Sequence, residues 1–244
     1  YGPSLDEVFG EYEAANNGLV EHDLGTDSSQ ELQKELEKLR TQLVEIAPQL
    51  SRLREQAAAR LSEKVTQELA HLAMPNAKLV VTVSQDELAA TGADLVSMQL
   101  AAYEGADPRP LGKGASGGEL SRIMLALEVV LADGKSNPTF VFDEVDAGVG
   151  GSAAIEIGKR LAKLAKTTQV IVVTHLAQVA AFADTHLRVL KNQAEQFTSS
   201  GVTVLSEVSR VEELARMLGG LSDSELARAH AAELWQLAKE NWPH

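Results

Sequence analysis

The chain contains no cysteine, few aromatic residues and no long uninterrupted hydrophobic run. Without cysteine it can form neither a disulfide framework nor a zinc–thiolate site. No apolar stretch approaches the ~20 residues that a membrane-spanning helix requires. The first residues also lack the basic region and apolar core of an export signal. The sequence therefore predicts a cytoplasmic protein without a membrane partner.

Basic residues are scarce relative to acidic ones. The chain has 22 lysines and arginines against 35 aspartates and glutamates, a formal net charge of -13. Nonspecific affinity for nucleic acid comes from neutralising phosphates with lysine and arginine. This balance excludes a diffuse attraction to DNA, so any DNA contact requires a local basic patch or another part of the protein.

The chain is long enough for one sizeable core and an appendage. It has 244 residues, of which 44% are hydrophobic. It begins with Tyr1-Gly2-Pro3 instead of an initiator methionine. We therefore expect it to be a fragment of a longer protein.

The first part of the chain carries a heptad pattern. Spacings of four and three between apolar residues are typical of a coiled-coil seam, which requires a partner strand from outside this sequence. We predict a helix over residues 29–72 with a kink near Pro48, because proline removes a backbone hydrogen bond. A shorter helix before it is expected to end at Asn16-Asn17-Gly18. Residues 1–72 are thus assigned to a coiled-coil arm segment. The seam residues are Leu32, Leu36, Leu39, Leu43, Ile46, Leu50, Leu53 and Ala57.

Residues 73–244 alternate between strand and helix patterns and form the second predicted domain. The apolar runs 139–142 and 170–173 are each followed by a helix, which predicts parallel strands buried on both faces. The fold class is therefore α/β, a mostly parallel sheet with flanking helices and a protruding long helix. Further strands are predicted at 79–83, 95–101, 187–190 and 202–205, with helices at 152–165, 177–183, 208–218 and 223–241.

A glycine-rich turn feeds directly into a predicted buried helix. Ser116 and Glu119 have the spacing of a capping box, in which each side chain bonds the backbone of the other residue. Gly117 and Gly118 lack a Cβ, so a ligand can approach the unpaired amides at the positive end of the helix. This arrangement suits a phosphate. The alternative is a capped helix that binds nothing.

Polar residues follow both apolar strands. Asp143 and Glu144 come directly after residue 142, and Thr174-His175 come after residue 173. In open α/β sheets ligands bind at the carboxyl ends of strands. Asp143 is a candidate magnesium ligand and Glu144 a candidate base for water. An ordinary solvated loop and a structurally satisfied histidine are the alternatives.

Four motifs together resemble those of ATP-binding-cassette ATPases. Residues 115–119 resemble the signature motif, residues 139–144 the Walker B strand, residues 145–148 the D-loop, and Thr174-His175 the switch histidine. The longer strings around these motifs are similar to the RecN family of bacterial DNA-repair proteins, which is related to the structural maintenance of chromosomes (SMC) proteins. The resemblance covers roughly residues 72–240, and the preceding coil only by its pattern.

The resemblance implies how these residues share the work around ATP and magnesium. Such proteins dimerise head to head with two ATP molecules between them. The signature would bind the γ-phosphate of ATP held by the second head, and the D-loop aspartate would relay between the two sites. The implied site residues are Ser116, Gly117, Gly118 and Glu119 of the signature, Asp143 for magnesium, Glu144 and His175 for catalysis, and Asp146 of the D-loop.

The phosphate loop of such ATPases, Gly-x-x-x-x-Gly-Lys-Ser/Thr, is missing from the sequence. Gly134-Lys135-Ser136 lacks the first glycine, because Val129 stands in its place. In the family that loop belongs to an N-terminal lobe. The resemblance thus implies a returning coil plus a C-terminal head lobe, with the N-terminal lobe, a second head and DNA as partners in the bacterial nucleoid. We expect the isolated chain to hydrolyse ATP negligibly.

Two other functions are compatible with the motifs. One is the nucleotide-binding subunit of another cassette system such as a transporter, which the heptads disfavour. The other is a coiled-coil dimerisation scaffold that no longer hydrolyses ATP. The intact Asp143-Glu144 pair disfavours the scaffold, because an inactive site has no need of it.

Overall fold

A computed structural model describes residues 5–132, 138–194, 197–219 and 224–241. The Gly134-Lys135-Ser136 triplet lies outside these residues. The chain divides into two compact units, one formed by residues 1–56 with 83–95 and the other by 57–82 with 96–244. This boundary falls at residues 56–57, inside a helix, and not at the end of that helix near residue 72.

The first element is a single long helix, α1 (Leu5–His71). It passes through Asn16-Asn17-Gly18, so the predicted break there and the predicted start near residue 29 are wrong. One glycine costs only about 1 kcal/mol in a helix interior, which is not enough to end a helix with good helix formers on both sides. Pro48 also lies inside α1. All the seam leucines except the half-buried Leu50 are exposed, for example Leu36 at 47% and Leu39 at 52%.

A β-hairpin follows α1. It consists of β1 (Lys78–Ala89) and β2 (Gly92–Ala101), and β2 pairs antiparallel with the short β3 (Arg109–Pro110). Both long strands include their predicted ranges and extend toward the turn.

The central helix of the second unit is α3 (Gly117–Leu131), preceded by the four-residue α2 (Leu111–Gly114). Ile123 and Leu125 of α3 are fully buried, together with Val65 and Leu69 from the end of α1. Met124 and Leu131 of the same helix are exposed. The α3 helix thus forms the centre of the larger apolar cluster of this unit.

A parallel strand pair lies beside this cluster. It consists of β4 (Thr139–Phe142) and β5 (Gln169–Val172), with α4 (Gly151–Ala165) between them in the chain. The predicted parallel pairing is confirmed. Burial on both faces is not, because Val141 is 66% and Ile171 46% exposed while Phe142 is buried. One face of the pair is therefore uncovered in the described part of the chain.

The remaining described elements are three helices, which pack around a second apolar cluster, and one antiparallel strand pair. They are α5 (Ala177–Ala180), the antiparallel pair β6 (Leu187–Ala194) and β7 (Phe197–Val204), α6 (Glu207–Gly219) and α7 (Glu225–Asn241). Leu214 and Ala231 are fully buried in this cluster. The helices were predicted to within a few residues, whereas β6 ends four residues later and β7 begins five residues earlier than predicted. Among the described residues, no helix is both long enough and apolar enough to span a bilayer.

Candidate functional site

The amino end of α3 has the predicted capping box. The Ser116 hydroxyl accepts a hydrogen bond from the Glu119 amide at 3.4 Å, and Glu119 Oε2 accepts one from the Ser116 amide at 2.8 Å. The bond from the Ser116 backbone holds the pKa of Glu119 below its ordinary value. The carboxylate of Glu119 thus stabilises the start of the helix. The amides of Gly117 and Gly118 have no intrahelical acceptor at this position.

Gly117 and Gly118 lie directly against a loop that follows β4. A Cβ at Gly118 would be 2.9 Å from Ala147 Cβ and 3.1 Å from the Glu144 carbonyl oxygen. A Cβ at Gly117 would be 3.1 Å from Glu144 Oε2. Only glycine at position 118 therefore allows the helix to approach this closely.

This loop, residues 143–147, presents the two adjacent carboxylates of the predicted site. Asp143 and Glu144 are both exposed. Glu144 has a φ of 56°, a left-handed conformation that costs a non-glycine residue roughly 1–2 kcal/mol. The Ala147 amide donates to the Glu144 carbonyl at 3.0 Å and closes a turn. Such a conformation persists only where the surroundings hold it.

Two side chains of α3 bind the backbone of the 143–147 loop. Ser121 Oγ donates to the Asp143 carbonyl at 2.8 Å, and Arg122 Nη1 donates to the Ala147 carbonyl at 3.0 Å. Arg122 is only 7% exposed, and this burial lowers the pKa of its guanidinium, although Glu119 opposes the shift. Sequence reasoning missed both residues. An arginine among the buried positions of an apolar helix is the signal that could have revealed Arg122.

Asp146 connects the 143–147 loop to the end of β5. Its side chain is buried, and Oδ2 accepts hydrogen bonds from Thr174 Oγ1 and from the His175 amide, the latter at 3.2 Å. His175 Nδ1 lies 3.4 Å from the same oxygen, while the histidine side chain is 73% exposed. The carboxylate thus fixes the turn at 174–175 and leaves the imidazole accessible.

The structure brings the predicted motifs together around the 143–147 loop. The signature glycines contact it from one side through Glu144 and Ala147, and the 174–175 turn binds it through Asp146. Three separated segments of sequence therefore form one polar surface within the second unit. This surface presents helix amides, two carboxylates and an imidazole, which are groups suited to a phosphate ester and a bound water.

The exposed carboxylates of Asp143 and Glu144 are candidate ligands for a metal ion. No cluster of three or more histidine, aspartate and glutamate side chains that could hold a metal exists among the described residues. Magnesium, however, is commonly bound by one or two carboxylates while water and substrate phosphates supply the other ligands. Asp143, exposed at the carboxyl end of β4, fits such a site as one ligand.

The comparison with known proteins gives several relatives of one kind. No protein-family model matches the chain. The chain is 52% identical to the DNA repair protein RecN of Streptomyces coelicolor, covering 84% of this chain and 38% of that protein. It is 44% identical to RecN of Mycobacterium tuberculosis (99% and 44% covered) and 42% identical to RecN of Deinococcus radiodurans (96% and 41% covered). The chain thus spans about two fifths of the length of these curated relatives.

Solved structures with the same fold are Smc head domains. One, from Pyrococcus yayanosii with a coiled coil and joint, has a TM-score of 0.56 at 19% identity and covers 87% of this chain and 39% of that one. Another, from Pyrococcus furiosus with an extended coiled coil and bound to the C-terminal domain of ScpA, has a TM-score of 0.54 at 20% identity, with 87% and 56% covered. These matches confirm the predicted fold class, an α/β head lobe with a long helix.

Proposed function

The chain belongs to the RecN family of DNA repair proteins, and on that premise we propose that it is the C-terminal part of an SMC-like ATPase acting in DNA double-strand-break repair. The observation that carries this proposal is the meeting of the signature glycines, the Asp143-Glu144 pair and the His175 turn at the 143–147 loop. The proposed function places the protein at nucleoid DNA in the bacterial cytoplasm.

In the proposed mechanism, ATP lies between two heads. The amino end of α3 in one head binds the γ-phosphate of ATP held by the other head, through the Ser116 hydroxyl and the amides of Gly117 and Gly118. The positive end of the helix dipole favours this anion. The exposure of Ser116 and the absence of side chains at the two glycines support this role.

Hydrolysis in the same proposal depends on the two carboxylates. Glu144 accepts a proton from the attacking water, because an exposed carboxylate next to the γ-phosphate can act as a general base. Asp143 would hold magnesium, and the ion would neutralise charge on the phosphates. His175 contacts the γ-phosphate, since its Nδ1 faces Asp146 and its other nitrogen is left for the ligand. Asp146 connects the two ATP sites, because it holds His175 in position.

The phosphate loop must be supplied by an N-terminal lobe. Two apolar surfaces support this partner. The β4–β5 pair exposes Val141 and Ile171, Val173 directly after β5 is also exposed, and α1 exposes most of its seam leucines. Burial of such surface drives association. We infer that the N-terminal lobe covers the strand pair and that its outgoing helix pairs with the α1 seam.

The isolated chain should therefore hydrolyse ATP negligibly. The test compares steady-state hydrolysis by this chain alone with that by the same chain combined with the segment that carries the phosphate loop. We expect activity only in the combined head, and its loss in Glu144→Gln with ATP retained between the heads. Robust hydrolysis by the isolated chain that Glu144→Gln abolishes would contradict the proposal.

Two further measurements on the complete protein separate the alternatives. ATP-dependent dimerisation of the complete wild-type head without turnover would support a non-hydrolysing scaffold. Binding of the complete protein to DNA ends would distinguish the repair function from a transporter subunit. Because the net charge of this chain is -13, we expect that binding to depend on local basic residues or on another part of the protein, and to fall with salt concentration as those basic residues release counterions from the DNA.

A further inference from the structure

Arg122 is a buried cation on helix α3, whose apolar side chains belong to the larger apolar cluster. It lies one turn after the signature glycines, among Ile123, Leu125 and Ala126, all of which are fully buried. Its Nε has no hydrogen-bond partner among the described residues. A buried, incompletely paired guanidinium costs desolvation free energy that an apolar side chain at this position would not. Packing alone therefore does not explain an arginine at this position.

The hydrogen bonds of Arg122 do suggest a role. Nη1 donates to the Ala147 carbonyl at 3.0 Å and lies 3.5 Å from the Val145 carbonyl. Ser121, the preceding residue, donates to the Asp143 carbonyl. These carbonyls lie on both sides of Glu144, whose own φ is left-handed. The two side chains thus hold the backbone before and after the strained residue.

We propose that Arg122 is a positioning residue for hydrolysis: together with Ser121 it fixes the backbone of the 143–147 loop and so directs the Glu144 carboxylate at the attacking water. The inference rests on the proposed function, because Arg122 affects catalysis only by positioning Glu144. Arg122 itself does not touch the nucleotide. Its effect is on the turnover step and not on nucleotide binding.

The chain contains a matched control, Arg210. This arginine is 8% exposed, its Nη1 and Nη2 each donate to backbone carbonyls at 2.8 Å, and its Nε also lacks a partner among the described residues. Its acceptors are Ala183 and Asp184, away from the 143–147 loop. Arg210→Met therefore removes the same kind of interaction without affecting the Glu144 backbone.

The experiment uses the full-length protein and measures steady-state ATP hydrolysis together with ATP-dependent head dimerisation. We expect Arg122→Met to lower kcat by about 100-fold, the effect of displacing a reacting group by about 1 Å. KM and dimerisation should remain within about threefold of wild type, because binding is retained. Arg122→Lys, which can still donate to one carbonyl, should recover part of kcat. Arg210→Met should leave the kcat of the folded protein unchanged.

Two further variants keep the inference testable if Arg122→Met does not fold. Ser121→Ala removes a single hydroxyl and should lower kcat by about tenfold, ~1.4 kcal/mol of barrier. Adding Arg122→Lys to Glu144→Gln should lower the residual rate no further, because both changes affect the same step. Wild-type kcat in both Ser121→Ala and Arg122→Lys would overturn the inference. Wild-type kcat in Glu144→Gln would instead overturn the proposed function itself.

Discussion

Gly118 sets how closely α3 approaches the 143–147 loop. A Cβ at this position would lie 2.9 Å from Ala147 Cβ and 3.1 Å from a backbone oxygen, and neither atom belongs to a flexible side-chain end. We expect Gly118→Ala to lower the free energy of unfolding by about 1–3 kcal/mol, as overpacking does. Urea denaturation followed by circular dichroism measures the change. Gly112→Ala is the control, because no described atom lies within 4 Å of its added Cβ. Equal stability of the two variants would contradict this reading.

Residues of the site could be predicted from the sequence only where the pattern lies within a few neighbouring positions. The capping box at Ser116 and Glu119 follows from a four-residue spacing, and the structure confirms it. Arg122 was missed because a helical periodicity assigns charged residues to the solvent face. Its actual partners, the carbonyls of the 143–147 loop, lie more than twenty positions away. The buried state of Asp146 was missed for the same reason, since it depends on Thr174.

Helix α3 should lose part of its stabilisation in acid. The pKa of Glu119 is depressed in the folded protein by the bond from the Ser116 amide. At a pH above 4.5, the ordinary pKa of this carboxyl, the depressed pKa adds to the stability of the folded protein. That contribution is lost as the pH falls through the lower pKa of the folded state. We expect the stability difference between wild type and Glu119→Gln to shrink from about pH 5 to pH 3.

Glu119→Gln is a suitable comparison because glutamine can still accept the Ser116 hydrogen bond but does not titrate. Parallel urea titrations of both proteins at several pH values give the difference directly and cancel the other carboxylates. A difference that is constant over this pH range, or that grows in acid, would show that the Glu119 charge does not stabilise the helix.

Asp94, which lies in β2 near the β1–β2 turn, binds α1 through two hydrogen bonds. Its two carboxylate oxygens accept from Ser51 Oγ at 2.7 Å and from Arg54 Nη1 at 2.9 Å, and the side chain is 6% exposed. We expect Asp94→Ala to loosen the turn, because Ser51 and Arg54 lose their carboxylate partner while the bond from Arg54 Nη2 to the Thr91 carbonyl remains. Amide hydrogen exchange of residues 83–95 should rise several-fold.

Asp86→Ala on the same hairpin is the matched control. Asp86 is exposed and bonds only the neighbouring Glu87 amide among the contacts seen in the described residues. Its removal should leave exchange in the hairpin nearly unchanged. If Asp94→Ala exchanged no faster than Asp86→Ala, the contact with α1 would not stabilise the turn.

Most elements could be predicted because their patterns are strong. Short apolar runs after turn residues identified β4 and β5, and their parallel pairing followed from the intervening helix. The break at Asn16-Asn17-Gly18 failed because local propensity is weak against the cooperativity of a 67-residue helix. The exposed face of the β4–β5 pair could not be predicted, since an apolar run does not say whether its covering partner belongs to the same chain.

At the scale of the whole molecule, the α1 seam should determine association with the outgoing arm. Burying one leucine stabilises by about 1.5–3 kcal/mol, so Leu36→Ser with Leu39→Ser should weaken binding of the preceding arm segment by about 100-fold or more. Sedimentation equilibrium of this chain with a peptide of that segment measures the loss. Both leucines are largely exposed here, so the stability of the chain alone should not change.

Val44→Ser provides the control for the seam. Val44 lies on the same helix, is 70% exposed and stands outside the heptad positions. The Val44→Ser substitution should leave the association of α1 with the arm segment unaffected. Equal weakening by Val44→Ser would indicate that α1 binds its partner through general apolar contact and not through a coiled-coil seam.

The close packing of Gly118 against Ala147 and the Glu144 carbonyl also bears on protein engineering and on evolution. With no room for even a methyl group between them, the shape of one segment constrains the other, although the rest of helix α3 and strand β4 separate them in the sequence. A chimera that takes residues 116–122 from one relative and residues 143–147 from a distant one should fold poorly. Recombination and directed diversification should therefore exchange the two segments as a pair.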